Sequence, residues 1–448
     1  MSENVSSRRS GLLYNMDDKP PLGLSIILGF QHLIASFGGI VAVPLVIGQA
    51  LGLPVGDIAF LVSATIFVSG ITTFIQARGI GPVGAKVPCV MGTDITFVGP
   101  MLAVGTSAGM GLGLPGMFGA TIMGSFVEII LSRFLKPLMK FFPPVVTGTV
   151  VTLIGVSLIP VSIDWAAGGA GKPGYGSLQN IVVAIIVLLI IIFLNRYGKG
   201  ILGSASVLIG IVAGYIICYP LGMLDFQPVI DAKWFSLPQI FRFGIDFTPK
   251  AVLPFLPAYL AATIGTVGVL IATGEVAERP LTNKEIADGV LADGVGSMIA
   301  GFFGAGPNTS FSQNVGLIPL TKVASRFVVI VSGIILALLG LFPKFGALIS
   351  IMPDPVLGGA GLVMFGVVAA SGIKTLGRIN LNNRNILIIA VSVGLGLGVA
   401  VRPEFVAKLP EALSMIFSSG VSTGTVVALI LNVVLKEDDT VDTLPDGV

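Results

Sequence analysis

Residues 307–316 read Pro307-Asn308-Thr309-Ser310-Phe311-Ser312-Gln313-Asn314-Val315-Gly316. This polar stretch opens on a proline and closes on a glycine, yet it lies between the apolar blocks 285–304 and 327–343. A continuous membrane helix gains nothing from such a segment. Broken backbone at membrane depth is tolerated where it lines a cavity or is buried in protein. A second interruption lies upstream, where Pro88, Gly92, Thr93, Asp94, Gly99 and Pro100 break the block 82–103. Paired breaks at matching positions of two halves are the sequence mark of a transporter's midplane site.

The composition around these breaks excludes a water-soluble enzyme. Of 448 residues, 54% are apolar and 11% charged, against about 25% charged in soluble domains. Mean hydropathy is +0.98. Sixty glycines suit helices whose backbones approach closely in lipid. A net charge of +2 leaves no large basic surface for nucleic acid. Cys89 and Cys218 fall in apolar segments and read as packed thiols. No His/Cys spacing suits a metal and no Walker A loop is present, so no cofactor is expected. The first apolar stretch, from Leu22 to Ile47, is too long for a signal peptide.

Spans of about 20 residues are expected near 22–48, 57–77, 82–103, 112–132, 143–162, 178–195, 201–222, 250–274, 285–304, 307–321, 327–343, 355–373, 384–401 and 413–435. Charge placement tests this set of fourteen. With the N-terminus inside, Lys172, Lys233, Arg242, Lys250, Lys344, Arg402 and Lys408 lie outside, and the other eighteen of the 25 Lys and Arg lie inside. The hydrophilic stretch 223–249 divides the spans seven and seven, and an odd number per half makes the repeats inverted. Pro144-Val145-Val146-Thr147-Gly148 and Pro355-Val356-Leu357-Gly358-Gly359 open equivalent spans. The expected order is a mobile cytoplasmic tail 1–21, a first repeat 22–222, an extracytoplasmic linker 223–249, a second repeat 250–435 and a cytoplasmic tail 436–448.

Each charge inside the membrane needs a reason, because the insertion cost is about 2.5–3.5 kcal/mol. Asp94 sits in the broken third span, and Asp293 midway along the ninth. Asp293 either ties the broken tenth span to its neighbour or takes part in chemistry. Glu128, five residues before Arg133, is expected to reach the interface, as are Glu275 and Glu278. His32, the single histidine, reads as a hydrogen-bonding group shaping a pocket.

The stretch Gln313-Asn314-Val315-Gly316-Leu317-Ile318-Pro319-Leu320-Thr321-Lys322 resembles the signature of the nucleobase–ascorbate transporter family. Gln31-His32 and Gly289-Val290-Leu291-Ala292-Asp293-Gly294 are similar to two further motifs of that family. The segment Ile163–Gly169 is similar to bacterial urate and xanthine permeases. The resemblance covers about 22–435. It implies an all-helical fold of fourteen spans with short strands in spans three and ten. It also implies a core of spans 1–4 and 8–11, a gate of spans 5–7 and 12–14, elevator-like movement and a homodimer. The lipid is an inner or plasma membrane. A glutamine at position 313 resembles the purine branch of the family. Its amide offers both donor and acceptor to a purine edge.

One departure stands out. Where the family carries a Glu in span eight, this chain reads Gly265-Thr266-Val267-Gly268. Asp94 and Ile95 also replace a small polar residue and an aromatic in span three. Asp94 is therefore expected to supply the missing acid, since burial favours a carboxyl that can load and release a proton. The expectation is import of a xanthine- or urate-type base by proton symport. Gln313, Asn314 and Gly316 form one wall, Thr93, Asp94 and Ile95 the opposing wall, and Gly265 and Thr266 lie between them. His32 supports the site, and Asp94 or Asp293 carries the proton. Ser310 and Ser312 are weaker candidates. The rivals are an anion transporter of the same fold, an uncoupled nucleobase uniporter, a channel, and a membrane enzyme or scaffold.

Overall fold

The computed structural model describes residues 11–106, 109–135, 143–199, 201–417 and 419–435. The terminal tails beyond them, with Arg8, Arg9 and Lys436, and the loop cations Lys136 and Lys140, lie outside the described residues. In the first half the helices are α1 (Leu22–Ala50), α2 (Val55–Arg78), α3 (Val98–Gly105), α4 (Gly113–Leu131), α5 (Pro144–Ala166), α6 (Leu178–Tyr197) and α7 (Ser206–Cys218). In the second they are α8 (Phe255–Val276), α9 (Asn283–Phe303), α10 (Leu317–Thr321), α11 (Arg326–Gly340), α12 (Asp354–Leu376), α13 (Asn383–Val401) and α14 (Gly420–Val434). Strand β1 (Met91–Thr93) precedes α3, and β2 (Asn308–Ser310) precedes α10.

Nine helices among the described residues are long and apolar enough to cross a membrane. The fourteen expected spans appear in order, with spans three and ten broken as expected and some of the others shorter than about 20 residues. Both α7 and α14 are shorter than their apolar blocks. Helix α11 continues into Pro343–Ser350 through an 81° bend. Spans three and ten are strand, 3-10 turn and short helix in succession. The helix starts follow local chemistry. Thr282 and Glu285 form a capping box before α9, and Ser177 and Asn382 each accept an N–H at the starts of α6 and α13. Such caps satisfy the first orphan N–H groups.

The packing repeats itself across the two halves. α2 lies along α11 and α9 along α4; α1 meets α11 and α8 meets α4. α6 meets α7 and α13 meets α14; α12 meets α6 and α5 meets α13. The exchange of each helix for its counterpart seven places on converts one contact into the other, as inverted repeats require. α5 and α12 are counterparts and share the largest helix interface. A Cβ on Gly155 would lie 2.3 Å from the Ala369 nitrogen, and one on Gly358 would lie 2.1 Å from the Ala166 nitrogen. Only glycine lets these backbones meet.

Two further features correct the expectations. Residues 11–18 are a docked segment rather than a mobile tail. Met16 is buried, Leu13 N–H donates to the Lys322 carbonyl at 2.7 Å, and Arg326 N–H donates to the Met16 carbonyl at 3.0 Å. The side chain of Arg326 also meets Asp17 at 2.7 Å. An apolar anchor and free backbone groups on 322–326 outweigh the polar composition of this segment. Glu128 is fully buried, against its expected reach to the interface. Glu275 and Glu278 are exposed.

At one end of the molecule Asp354 joins three elements. Its carboxylate accepts from Gln49 Nε2 of α1 at 3.1 Å and from Lys172 Nζ at 2.6 Å. Lys172 is half exposed, so the pair is worth about 1 kcal/mol or less. Asp354→Ala is expected to lower detergent-solubilised stability by that amount. The difference from wild type should shrink in high salt, and thermal unfolding at two ionic strengths measures it.

Candidate substrate site at the paired strands

The strands β1 and β2 pair antiparallel, with Met91 opposite Ser310, Gly92 opposite Thr309 and Thr93 opposite Asn308. Two more bonds extend the pairing: Asp94 N–H to the Pro307 carbonyl at 3.0 Å and Phe311 N–H to the Val90 carbonyl at 2.8 Å. Strands this short leave outer N–H and C=O groups that must be satisfied inside a membrane. One hydroxyl does this on each side. Thr73 Oγ1 of α2 accepts from Met91 N–H at 2.9 Å and donates to its carbonyl at 3.2 Å. Ser297 Oγ of α9 accepts from Asn308 N–H at 3.0 Å and donates to its carbonyl at 3.2 Å. Spans two and nine are counterparts, so the clamp obeys the inverted symmetry. A Cβ on Gly92 would press 2.8 Å from the Phe311 ring, which explains a glycine at the centre of β1.

Asp293 is fully buried and binds β2 to α8. Its carboxylate accepts from Thr266 Oγ1, from Thr309 Oγ1 at 3.3 Å and from Ser310 Oγ at 3.2 Å. Of its two expected roles, tying span ten to its neighbour is the one this geometry performs. The hydroxyls of Thr266 and Thr309 also lie 2.9 Å apart. Gln76 completes the surround: Nε2 donates to Ser310 Oγ at 3.2 Å and to the Gly289 carbonyl at 3.3 Å, and Oε1 accepts from Ala85 N–H at 2.9 Å. Sequence reading missed Gln76, Thr73 and Ser297. Their only signal was a polar side chain within spans two and nine.

Each strand runs into a 3-10 turn, Ile95–Phe97 after β1 and Ser312–Asn314 after β2. Asp94 caps the first turn, accepting from Thr96 N–H and Thr96 Oγ1, both at 2.9 Å. Asp94 and Ile95 are half-buried. On the second turn Asn314 is fully buried, and its Nδ2 meets His32 Nδ1 at 3.2 Å and the His32 carbonyl at 2.7 Å. His32 thus fixes the turn that presents Gln313. Gln313 is exposed, with Nε2 against Gly39 of α1. Its amide makes no hydrogen bond among the described residues. Ser312 and Gly316 are exposed as well.

On α8, Gly265 and Gly268 are exposed, and a Cβ at either would meet open space. This helix packs on β2 and on the Ile95–Phe97 turn. Ile264 and Ile95 pack with Val146 and Ile154 of α5. The expected residues therefore divide. Gln313, Gly316, Asp94, Ile95 and Gly265 are accessible. Thr93, whose hydroxyl reaches the Gly306 carbonyl at 3.5 Å, and Thr266, on Asp293, are engaged inside the packed structure.

The profile of the Xan_ur_permease permease family matches residues 23–405. The chain belongs to the nucleobase–ascorbate transporter family of permeases. It is a multi-pass membrane protein and a transporter rather than an enzyme. CPE0397 of Clostridium perfringens, named as a purine permease, is 58% identical over 98% of this chain and 96% of its own. The uric acid transporter UacT of Escherichia coli K12 is 43% identical over 92% of this chain and 86% of its own. The xanthine permease of Bacillus subtilis 168 is 41% identical over 92% and 94%. In fold the chain is similar to the transmembrane domain of the cyanobacterial bicarbonate transporter BicA, with TM-score 0.63 at 16% identity over 86% of this chain and 98% of that one. SLC26A9 matches with TM-score 0.62 at 12% identity, over 93% of this chain and 66% of that one. These two likenesses concern the fold alone.

Proposed function

We propose that this permease imports an oxidised purine, of the xanthine or urate class, together with a proton. The observation that carries the reading is the amide of Gln313. It is accessible, has no partner of its own among the described residues, and is held on a turn whose neighbour Asn314 is locked to His32. A free amide on a fixed turn offers paired donor and acceptor to a lactam edge. Purine, urate and xanthine permeases among its relatives support the same substrate class. In this reading Gln313 and the backbone at Asn314 and Gly316 hold one face of the base. Asp94 and Ile95 stand opposite, and Gly265 leaves room beside α8.

Transport follows from movement of spans 1–4 and 8–11, which carry both strands, against spans 5–7 and 12–14. The division is supported by helix packing, since α5 with α12 and α2 with α11 form separate large interfaces. The membrane is the inner or plasma membrane, with both termini cytoplasmic and a homodimer as the assembly.

Asp94 is the carboxylate that meets the base and couples its binding to that of the proton. Asp94→Asn keeps an oxygen to cap Thr96, so the protein should fold. Proton-driven accumulation should fall to the level of cells without the carrier, and the KM for the base should rise. Uptake with unchanged pH dependence in this variant would refute the assignment.

The test of the whole reading is uptake of radiolabelled xanthine, with urate and uracil as competitors, in cells lacking their own permeases. Saturable uptake abolished by a protonophore is the expected result. Uptake indifferent to the protonophore would favour the uniporter, which the glycine at position 265 in place of an acid makes the second reading. No uptake of any base would overturn the substrate class, and anions would be tried next.

A further inference from the structure

Glu128 is used by nothing described so far. It lies on α4, which packs against both α8 and α9, and its side chain is fully buried. Oε1 accepts one long bond, from Thr263 Oγ1 of α8 at 3.4 Å, and Oε2 has no hydrogen-bond partner. The ionisable groups near it are Asp293 on α9, Asp94 beyond β1 and Tyr259 on α8. Tyr259 is already committed, its hydroxyl donating to the Thr121 carbonyl at 2.8 Å.

A carboxyl at membrane depth with two further acids near it is not ionised at modest cost while both of them are. Hydrogen bonding decides between them. Asp293 accepts from three hydroxyls and Asp94 from an N–H and a hydroxyl, which suits a carboxylate with its acceptor-only oxygens. Glu128 has one weak donor and a bare oxygen, which suits a neutral carboxyl. Its position sets it apart from the site: Thr263, which it touches, is on the buried face of α8, while Gly265 two residues on is on the exposed face, since residues two apart on a helix do not share a face.

We propose that Glu128, on α4 and behind α8, is the storage site of the coupling proton. This rests on the symport reading above. A hydronium O–H bond on the outer side breaks as the O–H bond on Glu128 forms, and on the cytoplasmic side that O–H bond breaks as the proton returns to water. Asp94, facing the base, is the group through which proton and substrate sense one another, whereas Glu128 touches no substrate.

The experiment compares Glu128→Gln with wild type in three assays: accumulation with and without a protonophore, the KM for xanthine, and counterflow from preloaded vesicles. Glutamine has the shape of the protonated acid and should preserve folding. The expected result is counterflow and KM within about twofold of wild type, with protonophore-sensitive accumulation lost. Counterflow without accumulation is a signature that mere structural damage would not produce. A Glu128→Gln protein that still accumulates xanthine in a protonophore-sensitive way overturns the proposal while leaving symport intact. A variant that loses counterflow as well also overturns it, because Glu128 is then a packing residue. Wild type that ignores the protonophore overturns symport itself, and the proposal with it.

Discussion

Asp293→Ala is expected to disable transport and to lower stability more than any other single change considered. The substitution leaves the hydroxyls of Thr266, Thr309 and Ser310 without the acceptor they share. A hydrogen bond to a charged group contributes about 1.5–3 kcal/mol. The hydroxyls can rotate toward one another, and the 2.9 Å approach of Thr266 and Thr309 recovers part of that. A net loss of about 2–4 kcal/mol follows, enough to release β2 from α8. The measurement is the yield of folded protein and its thermal midpoint in detergent, followed by uptake. Asp293→Asn keeps one acceptor oxygen and should fall between the two. If Asp293→Ala were as stable as wild type, the tie between β2 and α8 would carry no weight.

Gln313→Glu should have the largest effect on substrate choice with the least effect on folding. The side chain is exposed and bonds to nothing among the described residues, so the substitution removes no packing or hydrogen bond of the folded protein. A carboxylate accepts only. A purine edge that used the amide's donor loses that bond and faces a second acceptor. The cost of about 1–3 kcal/mol corresponds to roughly 5- to 150-fold weaker binding. Competition of unlabelled xanthine and urate against labelled substrate would measure it. Unchanged affinity for both would remove Gln313 from the site.

The two breaks were legible because they violate the apolar pattern in the same place twice. Pro307 to Gly316 and Pro88 to Pro100 could not be ordinary spans, and both became strand and turn. His32 and Asn314 lay in motifs, and the structure joins them. Glu128 was misread because distance along the chain to Arg133 says nothing of the helix face that α8 covers. Residues 11–18 looked mobile by composition, yet their backbone finds unpaired partners on 322–326. Thr73 and Ser297 were invisible, since one hydroxyl in an apolar helix is common and usually returns to its own backbone.

By itself the sequence determined the solvent, the division into halves, the two interruptions and the family. These depend on hydropathy, periodicity and local spelling, which are properties of neighbouring residues. Only the tertiary structure decided which carboxyl was satisfied and which was left bare. Asp94, Glu128 and Asp293 are alike in the chain as acids among apolar residues. Asp94 is satisfied by Thr96 on its own turn, whereas Asp293 and Glu128 depend on donors from α8 and β2, which lie 16 to 135 positions away and are set by packing.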